Sequence, residues 1–323
     1  MLSGRGTMEY RQLGRTGLEV SRLCFGSLTL SPLQAGLPVR EAARVMRHAF
    51  DCGVNFIDTA ELYQNYDQIR SAVQGLGDSV LIATKSYAHR RDQMEKSLIR
   101  ALRSLKRDYI DVFLLHEQES VHTLRGHRAA LEYLVEAREK GLVRAIGIST
   151  HHVAGVEAAT ADPDIQVIHP IINRLGIGIR DGDTGAMLRA IRIAAQNGKG
   201  VYGMKVLGGG HLLEDSETAL RFAIGIRDLA SVAVGMQTTL EVEYNVRLFS
   251  GQVVPDGLRQ IVRRRPRRLL VEHWCLACGE CVRRCSAGAL YIKDDGRAAA
   301  RQELCNLCGY CASVCPEFAI KVI

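Results

Sequence analysis

The sequence predicts an α/β protein, a (β/α)8 TIM barrel followed by a small cysteine-rich α+β module. Three observations carry this. Strand-like apolar runs alternate with helical patterns eight times within about 240 residues. No Gly-x-Gly-x-x-Gly follows the first strand, which argues against an open dinucleotide-binding sheet. Eight of the ten cysteines crowd into the last fifty or so residues in a repeated spacing.

The elements follow in order. Met8 is a candidate start, with a short disordered tail ahead of it. Residues Glu9 to Ser21 alternate around Gly14-Arg15-Thr16-Gly17 and read as a hairpin. Barrel strands are expected at 22–26, 54–58, 79–84, 110–115, 143–149, 165–172, 200–205 and 231–235. Helical periodicity fills the intervals, as in Val39 to Cys52, Asp92 to Leu105, Leu124 to Lys140 and Gly185 to Asn197. The expected division is a barrel at 1–254, an arginine-rich linker at 255–270 and the module at 271–323.

The formal net charge is +7, and Arg259 to Arg268 contribute much of the excess. Pro266 interrupts any helix there, so the stretch reads as a solvated linker, or else as a docking face for an acidic redox partner. Nucleic acid is not an expected partner, because no aromatic or groove-reading element accompanies the arginines. No signal-peptide core or membrane-length apolar stretch is present, so the cytoplasm is the expected location. Cys24 and Cys52 lie in apolar barrel segments and read as packing residues.

Strand ends carry the chemistry. The run Val54 to Asp58 ends in a carboxylate, with Tyr63 one short loop later; 80–84 delivers Lys85 and 112–115 delivers His116. In a parallel barrel such groups share one mouth. A cationic Lys85 beside Tyr63 is expected to lower the phenol pKa, with Asp58 holding the lysine in place. Tyr63 then acts as general acid or base, and a neutral His116 orients a carbonyl.

In this order and context the four residues resemble the catalytic tetrad of the aldo-keto reductases, a likeness that covers about residues 9–249. It implies a hairpin that plugs the barrel bottom, an NADP(H) or NAD(H) cofactor, and a small carbonyl or alcohol substrate. Gly141 to Ser149 is similar to the family's fifth-strand signature, which implies that Ser149 holds the nicotinamide amide. Asn173, Met204 and Lys205 are candidate cofactor contacts by the same likeness. Gly235, Gln237 and Asn245 fall in the segment similar to the adenosine-phosphate end. Some positions depart from the family. His169 replaces a common glutamine, Met204 a common stacking tyrosine, and Tyr244 a common glutamate before Asn245. Gln237-Thr238 brings no cation to a 2′-phosphate. The run Lys205 to Gly210 is expected to offer backbone N–H groups to a phosphate.

Cys275-x2-Cys278-x2-Cys281-x3-Cys285 recurs as Cys305-x2-Cys308-x2-Cys311-x3-Cys315-Pro316. This is the bacterial two-cluster ferredoxin run, in which the fourth cysteine of each motif ligates the other cluster. Cys275, Cys278, Cys281 and Cys315 are therefore expected on one [4Fe-4S] centre, and Cys305, Cys308, Cys311 and Cys285 on the other. Zinc, which usually takes two separated Cys-x2-Cys pairs, fits the spacing less well. Strands are expected at 289–292 and 319–322, after each motif.

The combined expectation is an aldo-keto reductase fused to a ferredoxin-like iron–sulfur module that transfers electrons. Each cluster passes one electron whereas nicotinamide passes a hydride, and no flavin motif is evident. Two alternatives follow: an electron-transfer protein with a scaffold barrel, or a reductase fed by external ferredoxin without nicotinamide; a ferredoxin or flavoprotein is the kind of acidic redox partner expected.

Overall fold

The computed structural model describes residues 7–323, so the tail expected ahead of Met8 lies, up to residue 6, outside them. Strands β1 (Tyr10–Gln12) and β2 (Glu19–Ser21) form an antiparallel hairpin. Eight parallel strands then close into a barrel. They are β3 (Leu23–Gly26), β4 (Phe56–Asp58), β5 (Leu81–Ser86), β6 (Ile110–Leu115), β7 (Val143–Thr150), β8 (Val167–Pro170), β9 (Gly200–Gly203) and β10 (Ser231–Gly235), with β10 paired to β3. Their residues are buried almost throughout, as strands covered on both faces must be.

Helices α1 (Val39–Asp51), α2 (Tyr66–Val73), α3 (Arg91–Leu105), α4 (Val121–Gly126), α5 (Arg128–Glu139), α6 (Val153–Ala161), α7 (Thr184–Gln196), α8 (Ser216–Gly225) and α9 (Thr239–Phe249) ring the barrel. In α3 the buried positions Met94, Leu98, Ala101 and Leu105 recur every three or four residues, which is one apolar stripe facing the strands. The single helix expected over 124–140 is broken at His127, whose φ/ψ of −101°/9° is non-helical and follows the poor helix former Gly126. Strands β8 and β9 are shorter than expected; one bridge, Ile171 to Met204, extends them before Lys205 turns the chain at φ +59°.

Inside the barrel, Leu13, Leu18 and Val20 of the hairpin pack with Phe56, Val112, Leu114 and Tyr202, so the hairpin plugs the bottom. Gly14 is required there: a Cβ would sit 2.2 Å from the Gly200 amide nitrogen. Cys24 is fully buried in this cluster and Cys52 half-buried.

Past the barrel come α10 (Asp256–Arg263), β11 (Leu269–Val271), α11 (Glu280–Arg284), β12 (Leu290–Ile292), β13 (Ala298–Ala300), α12 (Tyr310–Ser313) and β14 (Ile320–Val322). β11 pairs with β14 and β12 with β13, both antiparallel. The two cysteine motifs share a backbone path. Ala277 and Leu307 both have φ +55°, and Gly279 and Gly309 both open their helices with positive φ. The module's core is small, a few side chains such as Leu269, Leu290 and Ile320 beside the cysteines. No helix among the described residues is long and apolar enough to cross a membrane.

Candidate active site

Register places the four sequence-predicted residues at one mouth. Gly26 of β3 lies opposite Asp58 of β4, and Asp58 opposite Ala83 of β5, two residues before Lys85. His116 follows β6 directly, and Tyr63 ends a single 3-10 turn after β4. Lys85 Nζ donates to both Asp58 oxygens at 2.9 and 2.7 Å and to the Thr59 carbonyl at 2.6 Å. The ammonium lies 5.2 Å from the centroid of the Tyr63 ring. His116 meets Tyr63 edge-on at 6.2 Å between ring centroids and stacks on Tyr87 at 4.2 Å.

Asp58 carries more than its lysine. Tyr202 donates its hydroxyl to Asp58 Oδ1 at 2.9 Å, and His169 Nε2 stands 3.6 Å from the same oxygen. Burial alone would raise the Asp58 pKa, but Lys85 and His169 hold it well below the usual carboxylate range. Sequence pattern alone does not mark Tyr202; the only signal is its place on an expected strand.

The Tyr63 phenol departs from expectation. Burial, then the negative fields of Asp58 and Glu117, push its pKa well above the ordinary value. Lys85 was expected to lower it; the neighbouring Asp58 carboxylate cancels that positive charge. Burial pushes His116 down to about 3, against the pull of Glu117, so its imidazole is neutral. Among the described residues its buried Nδ1 finds no hydrogen-bond partner.

A cavity of about 330 Å³ opens from Asp58, Tyr63 and His169 past Met204 and Lys205 to Gly235, Gln237 and Asn245. Asn245 donates to the Glu241 carbonyl, while its buried Oδ1 has no partner among the described residues. Two expected cofactor contacts lie elsewhere. Asn173 is buried, with its side chain spent on Ile177 and Leu175 in the loop after β8. Ser149 Oγ accepts the Glu117 amide at 2.9 Å and does not line the cavity.

The glycine run also has a different use. The Gly208 and Gly210 amides close turns onto the Lys205 and Leu207 carbonyls. A Cβ on Gly210 would meet the Val322 carbonyl oxygen at 1.9 Å, and one on Gly209 would meet Lys321 and Phe318 at 2.9 Å. These glycines let β14 lie against the barrel mouth. His211 Nε2 lies 2.9 Å from the Ile320 carbonyl, and Arg180 pairs with Glu317 at 3.0 Å. The linker is likewise not simply solvated: Arg265 and Arg267 both pair with buried Glu241, at 2.8 and 2.9 Å. Arg263, Arg265, Arg267, Leu307 and Lys321 therefore wall the cavity from outside the barrel. No sequence period could have signalled these long-range contacts.

In the module, one void is lined by Cys275, Cys278, Cys281 and Cys315 together, three from the first motif and the fourth from the second. The fourth cysteines are equivalent: Cys285 Sγ accepts the Ala289 amide and Cys315 Sγ the Ala319 amide, both at 3.3 Å.

Comparison with known proteins agrees with this architecture. The aldo/keto reductase family model matches residues 22–223, more than half of the chain, and the chain belongs to that family. The 4Fe-4S dicluster domain matches residues 274–320. Among curated relatives, 6-dehydroglucose reductase of Novosphingobium aromaticivorans is 28% identical over 49% of this chain, which spans 59% of that protein. L-galactose dehydrogenase of Arabidopsis thaliana is 24% identical over 74% of this chain and 87% of its own length. An aldo-keto reductase from Bacillus halodurans in its holo form superposes with a TM-score of 0.64 at 22% identity, covering 80% of this chain and 96% of that one. A Bombyx mori aldo-keto reductase in complex with NADP gives 0.61 at 16% identity, covering 80% and 92%. These two likenesses bear on the fold.

Proposed function

We propose that the chain reduces an aldehyde or ketone, and in reverse oxidises an alcohol, at the barrel mouth with a nicotinamide dinucleotide and Tyr63 as the proton donor. The observation that carries this is the convergence of Tyr63, neutral His116 and the Asp58–Lys85 pair beside a cavity that continues to Asn245. The residues present fit a dinucleotide. Asn245 Oδ1 is an acceptor without a partner among the described residues at one end, and Met204 offers an apolar face near the other. Bound there, the nicotinamide supplies the hydride that the carbonyl carbon must receive.

The chain's own residues handle the proton. Neutral His116 keeps one ring N–H for the carbonyl oxygen and adds no charge to the site. Tyr63 gives its proton to that oxygen as charge develops there and regains one from solvent after the alcohol leaves. Lys85 stabilises the transient phenolate through space, and Asp58 with Tyr202 fixes the lysine. In the module, two [4Fe-4S] clusters on the crossed cysteine sets serve electron transfer, which suits a reducing compartment such as the cytoplasm. Exposed Arg264 and Arg268 offer charge to an acidic ferredoxin or flavoprotein.

A second reading rests on Leu307. It sits between Cys305 and Cys308 and lines the cavity, which would let a ferredoxin-fed cluster deliver electrons there without nicotinamide. Tyr63→Phe tests the first. Carbonyl reduction should fall about 100- to 10,000-fold with cluster absorbance unchanged. Undiminished turnover would remove Tyr63 from the reaction.

A further inference from the structure

The last strand of the module carries a lysine into the barrel mouth. Lys321 of β14 is only 2% exposed, and it lines the cavity together with half-buried Lys205, which follows β9. The two ammonium groups converge on one ring. Lys321 Nζ lies 3.0 Å and Lys205 Nζ 5.5 Å from the centroid of Phe318. That ring is seated on two glycines: a Cβ on Gly178 or Gly209 would come within 3.0 or 2.9 Å of it. Phe318 and Lys205 hold left-handed backbone conformations, φ +47° and +59°, which side chains rarely adopt unless their surroundings impose it.

Among the described residues neither lysine forms an ion pair, and Lys321 donates only to the Phe318 carbonyl. The fields of Glu117 and Glu272 reach both lysines and Tyr63, so the lysines lie on the Tyr63 side of the cavity. Glu117 is spent on the Tyr87 hydroxyl at 2.7 Å, and Glu272 comes into contact with neither ammonium. Burial, and at Lys321 also the charge of Lys205, hold both groups below the ordinary lysine pKa. A buried ammonium without a counter-charge is costly, and two that face each other cost more. An anion between them offsets both penalties.

We infer that Lys321 and Lys205 form a carboxylate site beside Tyr63, so that the substrate reduced there is an oxo acid, an aldehyde or ketone that also carries a carboxylate. This rests on the carbonyl-reducing reading proposed above and names its substrate class. The hydride from nicotinamide goes to the carbonyl carbon and the Tyr63 proton to its oxygen; a hydroxy acid leaves with its carboxylate unchanged. Lys321 belongs to the strand that pairs with β11, so the module supplies half of the site and the barrel alone would lack it.

Steady-state reduction by the iron-loaded, full-length protein tests this, with succinic semialdehyde, levulinate and pyruvate set against butanal, butanone and acetone. The best acid should exceed its neutral counterpart about 10- to 100-fold in kcat/KM, the range for charge-assisted hydrogen bonds. In Lys321→Met, which exchanges an unpaired ammonium for an apolar chain of similar length, that preference should collapse through a rise in KM for the acid. Lys205→Met should move it in the same direction, with cluster absorbance as the check that the module stays folded. No preference in any pair, or a preference unaltered in both variants, overturns the site. So does a KM for NADPH that rises in Lys321→Met as far as that for the acid, which would give the lysine to the phosphates of the dinucleotide. Calorimetric titration with butyrate separates the two readings. Butyrate bound by the native protein and lost in Lys321→Met, with none of the carbonyls turned over, would uphold the carboxylate site and overturn the dinucleotide reading.

Discussion

Lys85 has spent all three of its ammonium protons before Tyr63 is reached: two on the oxygens of Asp58 and one on the Thr59 carbonyl. The lysine therefore acts on the phenol as a through-space charge rather than as a hydrogen-bond donor. That charge is shared with a carboxylate that Tyr202 also holds. The phenol consequently remains a proton donor across the neutral range.

The buried pair has a stability consequence. Lys85→Met should destabilise the barrel by about 3–5 kcal/mol, because Asp58 would be left buried and unpaired. Lys85→Met with Asp58→Asn should recover most of that loss. Thermal unfolding followed by circular dichroism checks both, and a single variant as stable as the native protein would contradict the pairing.

The pH dependence follows from two shifts. With His116 neutral down to about pH 3 and Tyr63 raised above its ordinary value, carbonyl reduction should be level from roughly pH 5 to 9. It should fall only on the alkaline side, as the phenol loses its proton. The reverse oxidation, which needs the phenolate, should rise with pH over the same alkaline range. Steady-state rates in both directions check this; an acid limb near the ordinary histidine value would show that His116 titrates in the site.

Seating of the module on the barrel depends on small residues. Gly210→Ala forces a side chain onto φ +94° and into the Val322 carbonyl, so β14 must lift. The variant should lose about 1–3 kcal/mol and expose the linker to protease. Limited proteolysis read by mass spectrometry would show cleavage between α9 and β11, where the native protein resists. Equal resistance would mean that β14 does not depend on this contact.

The cysteine assignment has a discriminating double variant. In Cys275→Ala/Cys315→Ala, crossed ligation removes two ligands from the same cluster, so about half the iron should be lost. Sequential ligation would remove one ligand from each, and both clusters would be compromised. Iron and sulfide analysis with EPR of the reduced protein separates the outcomes.

Much of this was legible in the sequence because it is written locally. The eight strands announce themselves as apolar runs, Asp58 and Lys85 as charges at their ends, and the cysteines by a fixed spacing. Tyr202 was harder to read, since an inward aromatic in a strand looks like packing until its hydroxyl meets Asp58 from the far side of the barrel. The roles of Ser149 and Asn173 could not be read from position, because each binds backbone a few or some tens of residues away. Gly209 and Gly210 lie further still from local inference: their identities answer to Phe318, Lys321 and Val322, which fold back onto them from the cysteine-rich module.

The proposed reaction brings a hydride from nicotinamide and a proton from Tyr63 to one carbonyl in this cavity. It is tested most directly by giving the anaerobic, iron-loaded protein an aldehyde and NADPH carrying deuterium at both C4 positions of the ring. One deuterium is expected on the carbinol carbon of the alcohol, in native protein and not in Tyr63→Phe under the same exposure. Alcohol formed without deuterium, at a rate set by reduced ferredoxin, would contradict it and place the reducing electrons in the clusters.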